Sequence, residues 1–300
     1  MYDIIVIGGG PAGLTAALYA RRANKSVLVI EKGTFGGQIT FSPKVENIPG
    51  FLQLTGNEFA EKLVEQVLEQ GADMECAEVL SVADGEVKTV ETDSGTYEAK
   101  AVVIAVGARH RMLGVDGEEG YVGNGISFCA VCDGAFYKDG TVAVIGGGNS
   151  ALQEAILLSD VAKKVYVVQN LDHFTGEGKL VEQLSSRKNV EMILSSLVES
   201  FYGEGELRGV VIKTGGETRS LDVDGVFVAV GLIPQNEPFQ NVLPLNAYGY
   251  ADVDESCVCE RKGIFVAGDC RGKKVRQVAT AMSDGAIAAL AACDYIDGLK

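Results

Sequence analysis

Short apolar runs that end at a glycine recur along the chain and predict buried parallel strands. Four such runs span residues 2–7, 101–106, 141–145 and 225–230. Near-continuous apolar strands are typical of parallel sheets that are covered on both faces. The first and third runs are each followed by a glycine-rich turn, a helix and another apolar strand, which is the order of a βαβ unit.

Other segments have the periodicity of helices and hairpins. Apolar residues of segment 57–70 fall on one face of a helix, and a final helix is predicted over about 277–296. Alternating positions over 75–99 predict a β-meander with turns at Asp84-Gly85 and Asp93-Ser94-Gly95. Residues 190–222 have a hairpin-like pattern of the same kind.

The order of a βαβ unit, a meander and a further apolar strand occurs twice, which indicates an internal duplication. The sequence therefore predicts an α/β fold with two Rossmann-like, three-layer ββα nucleotide-binding domains. We expect the second domain, residues 114–237, to be inserted in the first, which residues 1–113 and 238–300 would form.

Composition narrows the classes of function. The 300 residues carry a formal net charge of −15, which disfavours nucleic acid or an anionic membrane surface as a partner. The sequence has no run of about 18 apolar residues to span a bilayer. The chain enters a strand at once, without the segments of a secretory signal. Seven cysteines, an odd and scattered set, fit a reducing compartment. We therefore expect a cytoplasmic protein and, with only two histidines, no zinc site.

The first glycine-rich turn has the pattern of a dinucleotide site. Gly8 allows the tight turn, Gly10 lets a pyrophosphate approach the backbone, and Gly13 lets helix and strand pack closely. The start of the following helix supplies amide donors and a partial positive charge. Glu31 ends the second strand, where it can accept hydrogen bonds from an adenosine ribose.

A pair of cysteines lies ahead of the second turn. Cys129 and Cys132 are separated by two residues, so they can close a small disulfide that accepts two electrons and passes them on by thiol exchange. Asp133 beside them could move the proton that this exchange needs. Two buried structural thiols are the alternative interpretation. A metal site is disfavoured because no second cysteine pair of suitable spacing and no nearby histidine accompanies them.

Taken in order, these parts resemble the low-molecular-weight thioredoxin reductases over nearly the whole chain. Three further segments carry the resemblance: Gly36-Gly37-Gln38, residues 45–50, and Gly268-Asp269 with residues 276–281. The resemblance implies FAD as the cofactor, thioredoxin as the substrate partner and a homodimer.

The same resemblance implies the roles of individual residues at the flavin. Gln38 and Asn47 would line it, Asp269 would bind its ribityl chain, and Gln277 and Val278 would donate from the backbone at the isoalloxazine edge. The residues expected to bind FAD are Gly8, Gly10, Pro11, Ala12, Gly13, Glu31, Lys32, Gly37, Gln38, Asn47, Gly107, Gly268, Asp269, Arg276, Gln277, Val278 and Ala279.

The resemblance also implies the roles of the dithiol. Cys132 would face the flavin and take its electrons, and Cys129 would attack the disulfide of the partner. Asp133 would protonate or deprotonate the leaving thiol. Cys257 and Cys259 would share one face of a strand, and we interpret them as structural cysteines rather than a second redox pair.

The second turn keeps a GxGxxA pattern at Gly146, Gly148 and Ala151, but the specificity residues that should follow are missing. NADPH-linked members of the family carry His-Arg-Arg-x-x-x-Arg after the next strand, where residues 169–175 read Gln-Asn-Leu-Asp-His-Phe-Thr. Losing two or three charged phosphate contacts, at roughly 1.5–3 kcal/mol each, would weaken NADPH binding by several orders of magnitude. Asp172 would in addition repel a 2′-phosphate.

This departure resembles the ferredoxin-dependent flavin thioredoxin reductases, a branch that lacks pyridine-nucleotide specificity residues. It implies reduced ferredoxin as the electron donor, with Arg109-His110-Arg111 and residues 271–276 as candidate basic docking segments or else solvated loops. Three alternatives stay open. NADPH could be bound through Lys179 or Arg187, NADH could be the donor, or the chain could be a non-enzymatic flavin-bound redox sensor.

Overall fold

Both β-strands and α-helices are present along residues 1–299, the part of the chain that the computed structural model describes. The strands are, in chain order, β1 (Tyr2–Ile7), β2 (Val27–Glu31), β3 (Asp73–Cys76), β4 (Val79–Ala83), β5 (Lys88–Thr92), β6 (Thr96–Ile104), β7 (Ala108–His110), β8 (Ile126–Ser127), β9 (Thr141–Ile145), β10 (Lys164–Val168), β11 (Val190–Ile193), β12 (Ser196–Glu204), β13 (Glu206–Thr214), β14 (Glu217–Asp222), β15 (Gly225–Val228), β16 (Leu232–Pro234) and β17 (Ile264–Val266). The α-helices are α1 (Pro11–Arg22), α2 (Gly56–Glu69), α3 (Glu118–Tyr121), α4 (Ala130–Asp133), α5 (Asn149–Ser159), α6 (Gly178–Ser185) and α7 (Val278–Asp297).

The chain divides into two units. One comprises residues 1–43, 48–109 and the chain from 233 onward, and the other comprises 44–47 and 110–232. Both crossings fall a few residues before the expected boundaries at 113/114 and 237/238. They lie in β7 and β16, which pair with each other, so the connecting segments are strands rather than loops.

A mostly parallel sheet organises the first unit. Strands β3, β2, β1, β6 and β17 run parallel in that order. The first half of β6 also pairs with β5, which pairs with β4, to form an antiparallel ribbon. The apolar run predicted as a separate strand over 101–106 is therefore the second half of one long strand, Thr96–Ile104, which takes part in both layers.

Helices α1 and α7 pack closely because the residues between them are small. Ala12 and Ala16 of α1 and Ala288 of α7 are buried. A side chain added at Gly285 would overlap the backbone oxygen of Ala12. Helices in such close contact resist relative movement, which fixes the turns that precede them in the first unit.

The second unit repeats this plan. Strands β11, β10, β9, β15 and β8 form a parallel sheet, and β12, β13 and β14 form an antiparallel one. One apolar cluster, with Val210 and Val226, joins the two sheets. Another, with Leu152 and Phe227, lies between the parallel sheet and α5. The predicted α/β class with two Rossmann-like units is confirmed.

Residues 257–259 do not form the strand that the sequence suggested. Cys257 has a φ of 62°, in the left-handed region that interrupts a strand. Cys257 and Cys259 are nevertheless both buried free thiols. Among residues 1–299, no helix is long and apolar enough to cross a membrane.

Candidate active site

The turn after β1 is built around two glycines that no other residue could replace. Gly8 has a φ of 105°, and a side chain on Gly13 would overlap the oxygen of Gly8. Gly10 is the N-cap of α1 and has extended backbone, Pro11 and Ala12 begin the helix, and no side chain caps it. The first amides of a helix need acceptors from outside it. The turn therefore presents uncapped amides to an anionic group such as a pyrophosphate.

Glu31 lies beneath this turn, at the end of β2. Its Oε2 accepts from the backbone N–H of Gly9 at 2.7 Å, and its Oε1 accepts from that of Gly33 at 2.9 Å. The two hydrogen bonds fix the carboxylate beside the turn. The neighbouring Lys32 is exposed and forms an ion pair of 3.5 Å with Glu78.

The segment after β2 returns to the first turn. Gly36 donates from its backbone to the oxygen of Gly9 at 2.7 Å, and a side chain on Gly37 would come 3.1 Å from the Cα of Gly10. Gln38 is exposed on the following 3-10 turn of the first unit. Asn47, in contrast, belongs to the short segment 44–47 that groups with the second unit.

A second group of predicted residues follows β17. Asp269 lies on a 3-10 turn that starts at Gly268, and its Oδ1 is buried with no hydrogen-bond partner among the described residues. Burial raises the pKa of this carboxyl, although the cations Lys273 and Arg276 oppose the shift. Gly107 has a φ of 67° and open space where a side chain would begin.

The start of α7 lies next to this turn in sequence. Gln277 is its N-cap and Val278 and Ala279 are its first residues. The N–H of Gln277 donates to Oγ1 of Thr280 at 3.2 Å. Arg276 donates to the backbone oxygen of Asp269 at 3.5 Å, and its guanidinium lies 4.3 Å from the ring centroid of Tyr250.

A buried ionic network beneath the Asp269 turn was not predicted from the sequence. Oδ2 of Asp284 accepts from the N–H of Gly268 at 3.0 Å, from Arg271 at 2.8 Å and from Lys273 at 2.9 Å. Arg271 also reaches Glu255 at 2.6 Å. A signal was present: Asp284 is the one acidic residue in a long run of small and apolar residues, 278–293. The network corrects the expectation that residues 271–276 form a basic surface, because Arg271 and Lys273 are buried in it.

The residues of the first unit fit FAD. The uncapped start of α1 suits a pyrophosphate. The unpartnered Oδ1 of Asp269 is a buried acceptor that a ligand hydroxyl would satisfy. A side chain added at Gly107 would meet nothing within 4 Å, and one added at Gly10 would meet nothing nearer than 3.9 Å. There is therefore room for a ligand beside the backbone at both positions.

The two central cysteines form a disulfide in the second unit. Cys129 and Cys132 are joined, with their Cα atoms 5.3 Å apart. Cys129 is the N-cap of α4, and its Sγ accepts from the N–H of Cys132 at 3.2 Å. The backbone at the start of α4 thus holds the sulfur of Cys129 in place.

The acid beside the disulfide is held by a residue that the sequence did not single out. Ser127 donates to Oδ2 of Asp133 at 2.5 Å. Burial raises the pKa of Asp133, and the hydrogen bond from Ser127 opposes that shift. A carboxyl group of raised pKa keeps a proton more readily than a solvated one, as a proton donor must.

The second glycine-rich turn keeps its backbone geometry. Gly146 has a φ of 138°, and Gly148 is the uncapped N-cap of α5. Thr175 and Gly176 both donate from the backbone to the oxygen of Gly147, at 2.9 and 3.0 Å. Residues of the altered segment 169–175 thus bind the turn directly.

Gln169 occupies the position that Glu31 has in the first unit. Glu31 directly follows Ile30, which pairs with Ile7 at the end of β1. Gln169 likewise follows Val168, which pairs with Ile145 at the end of β9. Gln169 is 5% exposed, and its side chain bonds with His173 and Asn170 rather than with the turn's amides. Oδ1 of Asp172 lies 2.6 Å from Nδ1 of His173.

Arg187 and Lys179, the two residues considered as alternative ligands of the NADPH phosphate, have different surroundings. Arg187 binds Asp160, the C-cap of α5, and so lies at the far end of the helix from the turn. Lys179 is an exposed residue of the first turn of α6. Glu154, in the middle of α5, was not predicted to be functional. Its Oε2 is buried and has no hydrogen-bond partner in residues 1–299, and burial raises the pKa of Glu154 to about 8.

A dinucleotide-type turn in one unit and a disulfide beside a half-buried acid in the other are the parts of a disulfide oxidoreductase that uses a dinucleotide cofactor. The family described as "Pyridine nucleotide-disulphide oxidoreductase" matches residues 2–285. The chain belongs to this family, and FAD is its cofactor.

Proteins of known name are similar to the chain over its full length. A thioredoxin reductase of Listeria monocytogenes is 41% identical over 100% of this chain and 95% of its own. A "34.2 kDa protein in rubredoxin operon" of Clostridium pasteurianum is 40% identical over 99% of this chain and 97% of its own. The crystal structure of thioredoxin reductase from Streptococcus pyogenes superimposes with a TM-score of 0.95 at 39% identity, covering 99% of both chains.

Proposed function

We propose that this protein is a thioredoxin reductase that passes two electrons through Cys129 and Cys132 to the disulfide of a thioredoxin. The observation that carries the proposal is the disulfide at the start of α4 with the buried acid Asp133 beside it. Val131, between the cysteines, is 64% exposed and Phe136 is 37% exposed. Exposed apolar side chains next to a reactive group suit a protein partner. The full-length similarity to named thioredoxin reductases supports the same partner.

The proposed exchange assigns one step to each residue. The Cys129 thiolate, whose proton Asp133 has accepted, attacks the partner's disulfide, so that a new S–S bond forms and the partner's bond breaks. Asp133 then gives this proton to the leaving thiolate. Cys132 attacks Sγ of Cys129, the internal disulfide re-forms, and the second partner thiolate is protonated as Cys132 loses its proton. The partner gains two electrons and two protons, and the dithiol loses both.

FAD, when bound, supplies the two electrons that reduce the Cys129–Cys132 disulfide. The Gly8–Gly13 turn is proposed to bind its pyrophosphate, and Glu31 its adenosine ribose. Asp269 offers an acceptor to the ribityl hydroxyls. Gln277 and Val278, at the start of α7, would donate from the backbone to the flavin ring, and Cys132 is the sulfur proposed to face it.

Reduced ferredoxin is the proposed electron donor. The support comes from the second turn, where Gln169 fills the position of the ribose-binding acid with a buried amide. The arginine positions of NADPH-linked members are Asn170, Leu171 and Thr175. Arg187 does not supply the missing positive charge, because its side chain forms an ion pair with Asp160.

NADPH is the second candidate donor, and one observation favours it. The turn at Gly146 and Gly148 keeps an uncapped helix start, which still offers amides to a pyrophosphate. Lys179 follows the segment that binds this turn and could contribute one cation.

Anaerobic reduction of the flavin by each donor tests the proposal. We expect reduced ferredoxin to bleach the visible flavin absorption and to support thioredoxin reduction, and NADPH at micromolar concentration to do neither. Rapid bleaching by NADPH would overturn the choice of donor. We expect a Cys129→Ser variant to accept electrons at its flavin but not to turn over, and normal turnover would contradict the role of Cys129.

We propose that the protein forms a homodimer. Its first unit presents exposed apolar side chains on α1 and α7, with Tyr19 at 41%, Ile287 at 37% and Leu290 at 51%. Such side chains are suited to an interface between copies. Sedimentation equilibrium of the flavin-loaded protein tests this, and a monomer at micromolar concentration would contradict it.

A further inference from the structure

A buried serine joins the acid to one of the two cysteines. Ser127 ends β8, is 6% exposed and lies in register with Phe227 of β15. Its hydroxyl donates to Oδ2 of Asp133 at 2.5 Å and accepts from the N–H of Cys129 at 3.1 Å. Through this one side chain, both ends of the reactive segment are attached to the parallel sheet.

The hydrogen bonds of Ser127 hold one oxygen of Asp133 and leave the other without a partner. A hydroxyl has one proton and two lone pairs. One lone pair accepts from the N–H of Cys129, and the hydroxyl proton is donated to Oδ2 of the Asp133 carboxylate. Oδ1 is buried and has no hydrogen-bond partner within residues 1–299. Ser127 is therefore the side chain that fixes the orientation of the Asp133 carboxylate.

We infer that Ser127 is a positioning residue for the disulfide exchange, because its two hydrogen bonds hold the carboxyl of Asp133 and the backbone of Cys129 in one arrangement. The inference rests on the exchange described under the proposed function. In that step the O–H bond of the Asp133 carboxyl breaks and an S–H bond forms. The electron pair of the cleaved S–S bond becomes the lone pair that takes the proton.

The environment of Asp133 gives the inference a measurable sign. Burial raises the pKa of Asp133, and the donor of Ser127 lowers it by stabilising the carboxylate. Removing the hydroxyl therefore raises the pKa of Asp133 and leaves the carboxyl free to rotate. A purely structural serine would change stability without moving this titration.

The experiment uses the flavin-loaded protein, reduced with dithiothreitol and desalted under anaerobic conditions. Single-turnover exchange is measured against pH with two oxidants, thioredoxin and bis(2-hydroxyethyl) disulfide. The variants are Ser127→Ala, Ser127→Thr, Asp133→Asn and the Ser127→Ala/Asp133→Asn double variant. Ser196→Ala is the matched control, since Ser196 is a buried serine of the same unit that bonds with Thr214.

We expect Ser127→Ala to slow exchange about tenfold, part of the 10²–10⁴-fold that a positioned acid contributes. Its Asp133-dependent pH limb should move to higher pH, and Ser127→Thr should restore both rate and limb. In the Asp133→Asn background, Ser127→Ala should have little further effect. The control should match the parent protein.

Three results would overturn the inference: an unmoved pH limb in Ser127→Ala, no rescue by Ser127→Thr in a variant that retains its disulfide and flavin, or additive losses in the double variant. If Ser127→Thr does not fold, the limb and the double variant still decide. Failure with thioredoxin but the expected pattern with the small disulfide would contradict the proposed partner and leave the role of Ser127 intact.

Discussion

The carboxylates of Asp284, Asp133 and Asp269 differ in whether their oxygens are satisfied, and we interpret that difference as one between structural and chemical roles. Asp284 accepts four hydrogen bonds, from Gly268, Arg271 and Lys273. Asp133 and Asp269 each keep one buried oxygen without a partner in residues 1–299. A satisfied carboxylate holds its neighbours in place, whereas an unsatisfied one needs a proton or a ligand.

The network around Asp284 should be sensitive to loss of its one carboxylate. We predict that Asp284→Ala costs about 3–5 kcal/mol of the free energy of unfolding, because two buried cations lose their partner. Equilibrium urea unfolding measures this, with FAD retention on gel filtration as a second readout. The matched control is Glu255→Gln, whose exposed carboxylate should cost no more than about 1 kcal/mol. Equal losses in both variants would contradict the prediction.

His110 gives the second unit a pH dependence. Its ring stacks on Phe128 with centroids 4.5 Å apart, and burial lowers the pKa of His110 to about 4. The unfolded state takes up the proton as pH falls through about 6.5, whereas the folded state stays neutral until about 4. Stability should therefore fall across that window, by up to about 3 kcal/mol.

Unfolding curves at several pH values check the role of His110. A His110→Phe variant keeps an aromatic ring that cannot titrate, so its loss of stability between about pH 6.5 and 4 should be smaller. His173→Gln serves as the control, because His173 is exposed and is the only other histidine. An unchanged pH dependence in His110→Phe would rule out this histidine as its source.

Residue types and their order predicted Asp133 and the glycines of both turns, because short spacings carry those signals, and Asp269 was implied by the family resemblance. Ser127 and Asp284 were missed because their importance depends on contacts that folding creates. Asp284 meets Gly268 sixteen positions away, and no local pattern marks such a pair. Ser127 looks like any strand residue until its hydroxyl is placed.

At the scale of elements, the two copies of the βαβ unit differ at the position beneath the turn, occupied by Glu31 in one and Gln169 in the other. Glu31 bonds to the turn through Gly9, whereas Gln169 bonds to the segment that follows its own strand. The duplicated order of elements was predictable from apolar runs. The continuity of β6 was not, because its two halves belong to different layers.

Restoring cations after β10 should restore NADPH binding. We predict that the triple variant Asn170→Arg, Leu171→Arg and Thr175→Arg binds NADPH at least about 100-fold more tightly, given roughly 1.5–3 kcal/mol per charged contact. Fluorescence titration with NADPH measures the affinity. A control with three arginines at the exposed positions 183, 185 and 186 of the same unit adds equal charge and should bind no better than the parent. An equal gain of NADPH affinity in both variants would show that net charge, and not the position of the arginines, causes the effect.

At the scale of the whole molecule, the net charge of −15 opposes association with an acidic electron carrier. Association of like-charged proteins is slow unless a local patch of opposite sign meets the partner. Near Asp269, Arg271 and Lys273 are buried with Asp284, and Arg276 is partly covered beside Tyr250. Lys274 is the exposed cation of this segment.

Lys274 should therefore assist reduction by ferredoxin. We predict that Lys274→Glu slows flavin reduction by ferredoxin about three- to tenfold at low ionic strength, and that added salt narrows the difference as it screens the charges. Anaerobic stopped-flow absorbance measures the rate. Lys62→Glu, an equal charge change at an exposed position on α2, is the control and should have a smaller effect. Because dithionite is a small reductant that needs no protein docking, its rate should not change in either variant. If both charge reversals slow ferredoxin equally, the net charge of the molecule governs the encounter and the segment beside Asp269 is not the docking site.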